Sequence, residues 1–410
     1  MIKHTHFPYS FNLFILFLFA GQASAGGFQI NMLSMKATSM GGAFTGFGMD
    51  ASTTFYNPGA MTFMEYSQLS LGATLIMSST SYLSPYGGNT NMKDGMRFPV
   101  HFYGNTKLNE QLAVGISVNT PFNLNTKWED NWTGRYIARE TQMKALFIQP
   151  SVSYQVTEKF GIGGGPVIAL GKTYLTKTLP YTSVLGETSM ELEGHSTGYG
   201  FNIGLFFKPN DELSLGVDYR SAVKMKIKNG EVAFSNVPTT LVSQFPESAE
   251  FGTEYTLPSV ISAGAAYKLT RELTICLDVN YTTWKSFDSL EFNFENNTNL
   301  NFGSGKFYEN AFALRLGAQY SLSEKIDVRG GVAFDSSPVP DERVSPENPD
   351  NDRFMFSLGG TLKFGEHVSV DLAYMLQNIK ERQASNEQYN FEGNYKSLIN
   401  IFGITLNYQF

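Results

Sequence analysis

The chain has 410 residues, a formal charge of −7 and only 16% charged side chains, against about a quarter in ordinary soluble domains; its acidic balance excludes the basic face that nucleic acid requires. Aromatics reach 14%, with 34 Phe, 21 Tyr and 39 Gly, yet the mean hydropathy is only −0.17. No segment beyond the N-terminus approaches the roughly eighteen apolar residues of a membrane helix, so helical spans are excluded.

The N-terminus reads as an export signal. Lys3 supplies the positive start, "FNLFILFLFA" (residues 11–20) an apolar run too short to span a bilayer, and "ASA" (residues 23–25) a small-x-small cleavage site. The pattern predicts a signal peptide over residues 1–25 and a mature chain beginning at Gly26. Residues 26–64 follow, with no clear period and two charges, Lys36 and Asp50. They end in the breaker Asn57-Pro58-Gly59, which suits neither sheet nor helix.

From residue 65 onward the pattern has period two. Six short turns resemble one another: "KLNEQLAVGI", "QVTEKFGIGG", "KPNDELSLGV", "KLTRELTICL", "SLSEKIDVRG" and "KFGEHVSVDL". After each, apolar and polar residues alternate. Leu213, Leu215, Val217 and Tyr219 take one face, and Ser214, Gly216, Asp218 and Arg220 the other. That is the signature of a strand with one apolar face. The segments between the turns hold long polar loops. Short turns on one side, long loops on the other and an export signal are the pattern of an outer-membrane barrel. Six turns join twelve strands; one strand before them and one after predict fourteen. The fold class is therefore all-β, a 14-stranded antiparallel transmembrane β-barrel over residues 65–410. The last strand, "INIFGITLNYQF", ends on Phe410, resembling the signal that barrel-assembly machinery reads. A barrel of this size has a lumen that must be open or plugged, and residues 26–64 are expected inside it as a hatch. Their backbone groups need partners there, which Asp218, Asp278, Arg315, Arg329 and Asp371 are expected to supply.

The stretch "GGFQINMLSMKATSMGGAFTGFGMDASTTFYNPGAM" resembles the hatch of the FadL family of outer-membrane transporters for long-chain fatty acids and other hydrophobic compounds. Gly27-Phe28-Gln29, Asp50-Ala51 and Asn57-Pro58 match its motifs; Gly59 stands where the family usually has Ala. "VNTPFNLNTKWEDNWTGRY", "LPSVISAGAAYKL", "NYTTWKSF" and "AFDSSPVPDERVSPENPDNDRF" extend the likeness over the mature chain. The resemblance implies passive uptake: capture at outer loops, hatch movement and lateral exit through the barrel wall. It implies no cofactor and no enzyme activity. The partners expected are the hydrophobic ligand, outer-membrane lipid and lipopolysaccharide, around a monomer; aromatic hydrocarbon uptake is the alternative cargo reading.

The site candidates follow. Asp50, Asn57, Pro58 and Gly59 form the hatch turn. Pro121 interrupts the third strand, so Asn119, Thr120, Pro121 and Phe122 are expected at the lateral opening, where a proline removes a ladder bond; ending the strand is the plainer role for Pro121. Phe122, Trp128, Trp132 and Tyr136 form either a capture surface or an interfacial aromatic belt. Arg315 and Arg329 face inward on neighbouring strands, near each other if the turn centres on Ser323, and with Lys306 are candidates for a ligand carboxylate; pairing with Asp327 or the hatch is the competing role. The glycine run "GIGGGPVIALG" lies in a strand and is expected to face the hatch rather than hold a nucleotide. The five histidines are scattered, so no metal site is expected. His195 and Ser196 lack the partner that a hydrolase would need.

Overall fold

The computed structural model describes residues 26–410 apart from 31, 94, 95 and 296; the signal peptide expected over residues 1–25 lies outside the described residues. The barrel strands are β1 (Gln68–Leu83), β2 (Val100–Lys107), β3 (Leu112–Lys127), β4 (Glu140–Thr157), β5 (Phe160–Ser183) and β6 (Gly186–Phe207). β7 comes in two pieces, Leu213–Arg220 and Val223–Ser235, as does β8, Ser248–Leu257 and Val260–Lys268. β9 (Leu273–Thr282), β10 (Ala311–Ser323), β11 (Ile326–Asp335), β12 (Arg353–Phe364), β13 (Val368–Asn386) and β14 (Phe391–Gln409) complete the circuit. Each pairs antiparallel with its neighbours, and β14 pairs with β1 from Gln68↔Gln409 to Leu83↔Asn394, which closes the sheet. Closure leaves the sheet no free outer edge, so except at one interruption between β2 and β3 its backbone groups are met within the wall, as lipid requires. The six sequence turns sit at one rim; no helix among the described residues is long and apolar enough to cross a membrane.

The period-two reading holds face by face. On β14, Phe402, Ile404, Leu406 and Tyr408, with Phe410 just past its end, are 42–58% exposed, pointing outward to where lipid replaces water. On β7, Leu215, Val217 and Tyr219 are exposed while Asp218 and Arg220 between and beside them are buried. The polar residues therefore face a filled interior.

Residues 26–64 fill much of it. Ser34 caps a short helix α1 (Met35–Ser39), its hydroxyl accepting from Ala37 N at 3.2 Å. A second helix, α2 (Thr53–Tyr56), leads into a 3-10 turn, Pro58–Phe63, that Asn57 caps by accepting from Gly59 N at 3.1 Å. The irregular backbone is satisfied from the wall. Asp278 Oδ2 accepts from Phe44 N (2.9 Å) and Thr45 N (2.7 Å), and Arg315 Nη1 donates to Gly41 O (3.0 Å). Arg220 Nη2 donates to Phe55 O (2.6 Å) and Gln149 Nε2 to Thr54 O (2.8 Å); in the other direction, Asn57 Nδ2 of the segment donates to Leu205 O of β6 (3.0 Å). Asp218, Arg329 and Asp371, expected to join in, bond within the wall instead: Asp218 accepts from Asn202, Asp371 from Asn407, and Arg329 donates to Gln319. The glycine run of β5 is a contact face; a Cβ on Gly163 would lie 2.4 Å from Pro58 O.

Candidate functional site

The wall is interrupted between β2 and β3. Their ladder ends at Phe102↔Val118, although β3 continues to Lys127, paired on its other edge with β4. Beyond a span of roughly 25 Å along the strand, Lys93 N, in the segment between β1 and β2, donates to Lys127 O at 2.8 Å. Sequence causes the break. Pro121 within β3 turns its backbone edge toward the gap, where its carbonyl accepts from Ile30 N, and lacks the N–H that a ladder to β2 would need. On the β4 side the register shifts between Asn119 and Phe122, a bulge that bends the strand.

Residues 28–30 of the N-terminal segment lie against β3 in place of β2. Ile30 N donates to Pro121 O (2.7 Å), Asn123 N donates to Phe28 O (3.0 Å), and Gln29 sits opposite Phe122. Phe28 is held edge-on by Trp284 at 4.8 Å, Phe287 at 5.3 Å and Phe122 at 6.1 Å between ring centres, the geometry that aromatic quadrupoles favour. Gly27 N donates to Asp350 Oδ2 at 2.7 Å, and Asp350 Oδ1 accepts from Arg353 Nη2 at 2.6 Å. Behind the gap lies a cavity of about 110 Å³. Ile30, Ile76, Leu124, Ile379 and Ile399 give it apolar walls, and Arg97 and Arg353 are its cations. On the side of the short turns, below the N-terminal segment, a larger cavity of about 590 Å³ is lined by Lys36, Lys208, Arg271, Glu272, Asp327 and Lys363 among others. The smaller space mixes isoleucine walls with polar groups and two arginines; the larger one is dominated by charged side chains near the short-turn rim.

The sequence candidates fall as follows. Asn119 and Thr120 are buried at the foot of the gap, and Pro121 and Phe122 carry the contacts to residues 28–30. Asp50 accepts from Ser52 N at 2.9 Å and lies 3.7 Å from Lys36 Nζ. Pro58 and Gly59 open the 3-10 turn, so the chain runs on along the wall before it enters β1. Trp128 and Trp132 are 1% and 3% exposed and stacked 4.4 Å apart. Their Nε1 groups donate to Pro346 O and Ala138 O. They form a core beneath the outer loops, neither an open landing surface nor a lipid belt. Tyr136 is exposed; it donates to Glu187 Oε1 at 2.6 Å, and this bond pushes its phenol above the usual range.

The cation candidates are occupied and dispersed. Arg315 Nη2 pairs with Asp335 at 2.8 Å and Lys306 Nζ with Glu347 at 2.5 Å, while Arg329 sits between Asp327 (3.9 Å) and Asp371 (3.8 Å). Arg315 stands opposite Ala333, and Arg329 opposite Gln319. The turn centres on Glu324 and Lys325, not Ser323, which leaves the two arginines four positions apart along the ladder, roughly 13 Å. Sequence reasoning passed over Arg97, Asp350 and Arg353 as site residues. Arg97 sits in a stretch without period, and Asp350 meets Gly27 only through closure of the barrel. Among the described residues no His/Cys/Asp/Glu group is arranged to hold a metal.

The comparisons agree with this architecture. A long-chain fatty acid transport protein of Salmonella typhi is 26% identical over 95% of this chain and 95% of its own. The crystal structure of a Pseudomonas aeruginosa FadL homologue superposes with a TM-score of 0.85 at 20% identity, covering 94% of this chain and all of that one. That of the Ralstonia pickettii toluene transporter TbuX does so with a TM-score of 0.69 at 14% identity, covering 91% and 97%. The family model described as outer membrane protein transport protein (OMPP1/FadL/TodX) matches residues 16–410. With a closed barrel, an apolar outer belt and that match over nearly its whole length, the chain belongs to this family: it is an outer-membrane transport protein and not an enzyme.

Proposed function

We propose that this protein takes up hydrophobic small molecules, long-chain fatty acids above all, and passes them sideways through the gap between β2 and β3. The single observation that supports this reading is the gap itself, filled by residues 28–30 and backed by a cavity with isoleucine and leucine walls. A hydrophobe caught among the outer loops enters the cavity. At about 110 Å³, roughly four water volumes, the cavity is too small for a long acyl chain. Residues 26–64, acting as a hatch, must therefore yield at Phe28, and their displacement uncovers the gap. The route down the barrel axis is disfavoured because the space below is lined by lysine, arginine and carboxylate side chains, and a hydrophobe gains nothing there. Sideways exit keeps it in an apolar medium, and its gradient is sufficient drive. Phe122 belongs to this exit. Phe410, exposed at the end of β14, serves assembly of the barrel, which works as a monomer among outer-membrane lipid and lipopolysaccharide.

Aromatic hydrocarbons are the alternative cargo, since the toluene transporter TbuX shares the fold. Uptake of labelled oleate and labelled toluene into cells lacking their own transporters, with and without this chain, separates the two. Oleate uptake dependent on the chain supports the reading; uptake of neither overturns it.

A further inference from the structure

We infer that Arg97 is the carboxylate-recognition residue of the cavity and, through the same guanidinium, the latch across the wall gap. The inference rests on the lateral-uptake reading and adds the chemistry of the ligand's head. Arg97 lies in the short piece Met96–Arg97 that precedes β2, opposite Ile76 of β1. Ile76 is 5% exposed and faces the lumen. Residues directly opposite in an antiparallel pair project to the same face, so Arg97 points inward, into the cavity. Its Nη2 reaches across the interrupted ladder to the backbone oxygen of Asn125 on β3. The guanidinium thus spans the gap that the backbone leaves open.

Its charge sets it apart from the other cation of the cavity. Arg353 is paired with Asp350 at 2.6 Å. Arg315, Lys306 and Arg220 each have a carboxylate within 4.0 Å. Arg97 has none among the described residues, and its Nε is buried without any hydrogen-bond partner. A half-buried cation whose buried Nε–H is bare is costly to maintain. A carboxylate entering the cavity fits the Nε–Nη2 edge of the fork, accepting from both in parallel. That geometry competes with the Asn125 carbonyl for Nη2. Binding of an acyl carboxylate therefore meets the charge and removes the bond that ties the piece ahead of β2 to β3 at the gap. Neutral hydrophobes of equal length fill the apolar walls but leave the latch closed.

The test compares oleate with methyl oleate, which share the chain and differ in charge. Binding to the purified protein is measured with uptake into cells for wild type, Arg97→Gln and Arg97→Lys, after heat-shifted migration on gels has confirmed a closed barrel. Wild type is expected to bind oleate about tenfold to hundredfold more tightly than methyl oleate, the range of a charge-assisted pair. Arg97→Gln abolishes that preference by weakening oleate alone, and Arg97→Lys retains part of it. Equal affinity of wild type for the two ligands overturns the inference without recourse to any variant. So does an Arg97→Gln variant that weakens both equally, which marks a structural role. Uptake of neither ligand by wild type defeats the lateral-uptake reading itself, and equal uptake of both defeats only the role of Arg97.

Discussion

If residues 28–30 must leave β3 before a ligand passes, uptake has a threshold in chain length. The seat to be broken is defined by its contacts. Phe28 is 4% exposed, and burial of such a side chain is worth about 2–3 kcal/mol. Its three edge-on ring neighbours add about 0.5–1.5 kcal/mol each. The bonds Ile30 N to Pro121 O and Asn123 N to Phe28 O contribute about 1 kcal/mol apiece. Together the seat is on the order of 7 kcal/mol. An acyl chain supplies about 0.8 kcal/mol per buried methylene, so roughly nine methylenes offset it. Uptake of labelled acids from six to eighteen carbons is expected to stay near the transporter-free background up to about eight carbons and to rise steeply beyond about ten. A paired variant makes the test specific. Gln29 and Phe122 form the non-hydrogen-bonded pair of their bridge, with Cα atoms about 4.5 Å apart, inside the range a disulfide accepts. Gln29→Cys with Phe122→Cys, oxidised, should abolish uptake at every length, and a reductant should restore it. The native Cys276 is buried and does not interfere. Flat dependence on chain length, or full uptake by the oxidised variant, refutes the reasoning.

Three further outcomes follow from the packing. Gly59→Ala restores the residue usual in the family, yet its Cβ would lie 2.6 Å from Gly204 O on β6; overpacking of this kind costs about 1–3 kcal/mol, and faster limited proteolysis within residues 26–64 with an unchanged barrel is the expected readout. Asp278→Ala removes the acceptor for Phe44 N and Thr45 N; losing charge-assisted bonds weakens the hold on the segment by about 2–4 kcal/mol, visible as faster amide exchange at residues 44 and 45. Trp128→Ala breaks the stack with Trp132 and the bond to Pro346 O; about 3–5 kcal/mol of loop order is lost, and cleavage in residues 336–352 should precede any loss of the barrel.

The barrel was legible because lipid imposes one rule on every strand. Apolar residues at alternate positions, as in Leu213 to Tyr219, can only face outward when polar neighbours face a lumen, and the six turns count the strands without knowledge of their pairing. The gap was half legible: Pro121 announced a broken ladder, while the early end of the β2 ladder at Phe102 follows a stretch where the sequence has no period. What the sequence could not determine is who meets whom across the lumen. Trp128 and Trp132 look the same on paper whether they face ligand or bury each other, and only their stacking chose the second. Arg315, Arg329, Lys306 and Arg97 are equivalent cations in the sequence; closure of the barrel brings Asp335, Asp371 and Glu347 to the first three and, among the described residues, no carboxylate to the fourth. Period and composition act over a few residues and so were readable, whereas the electrostatic fate of a buried charge depends on neighbours that only the closed circuit of strands brings within reach.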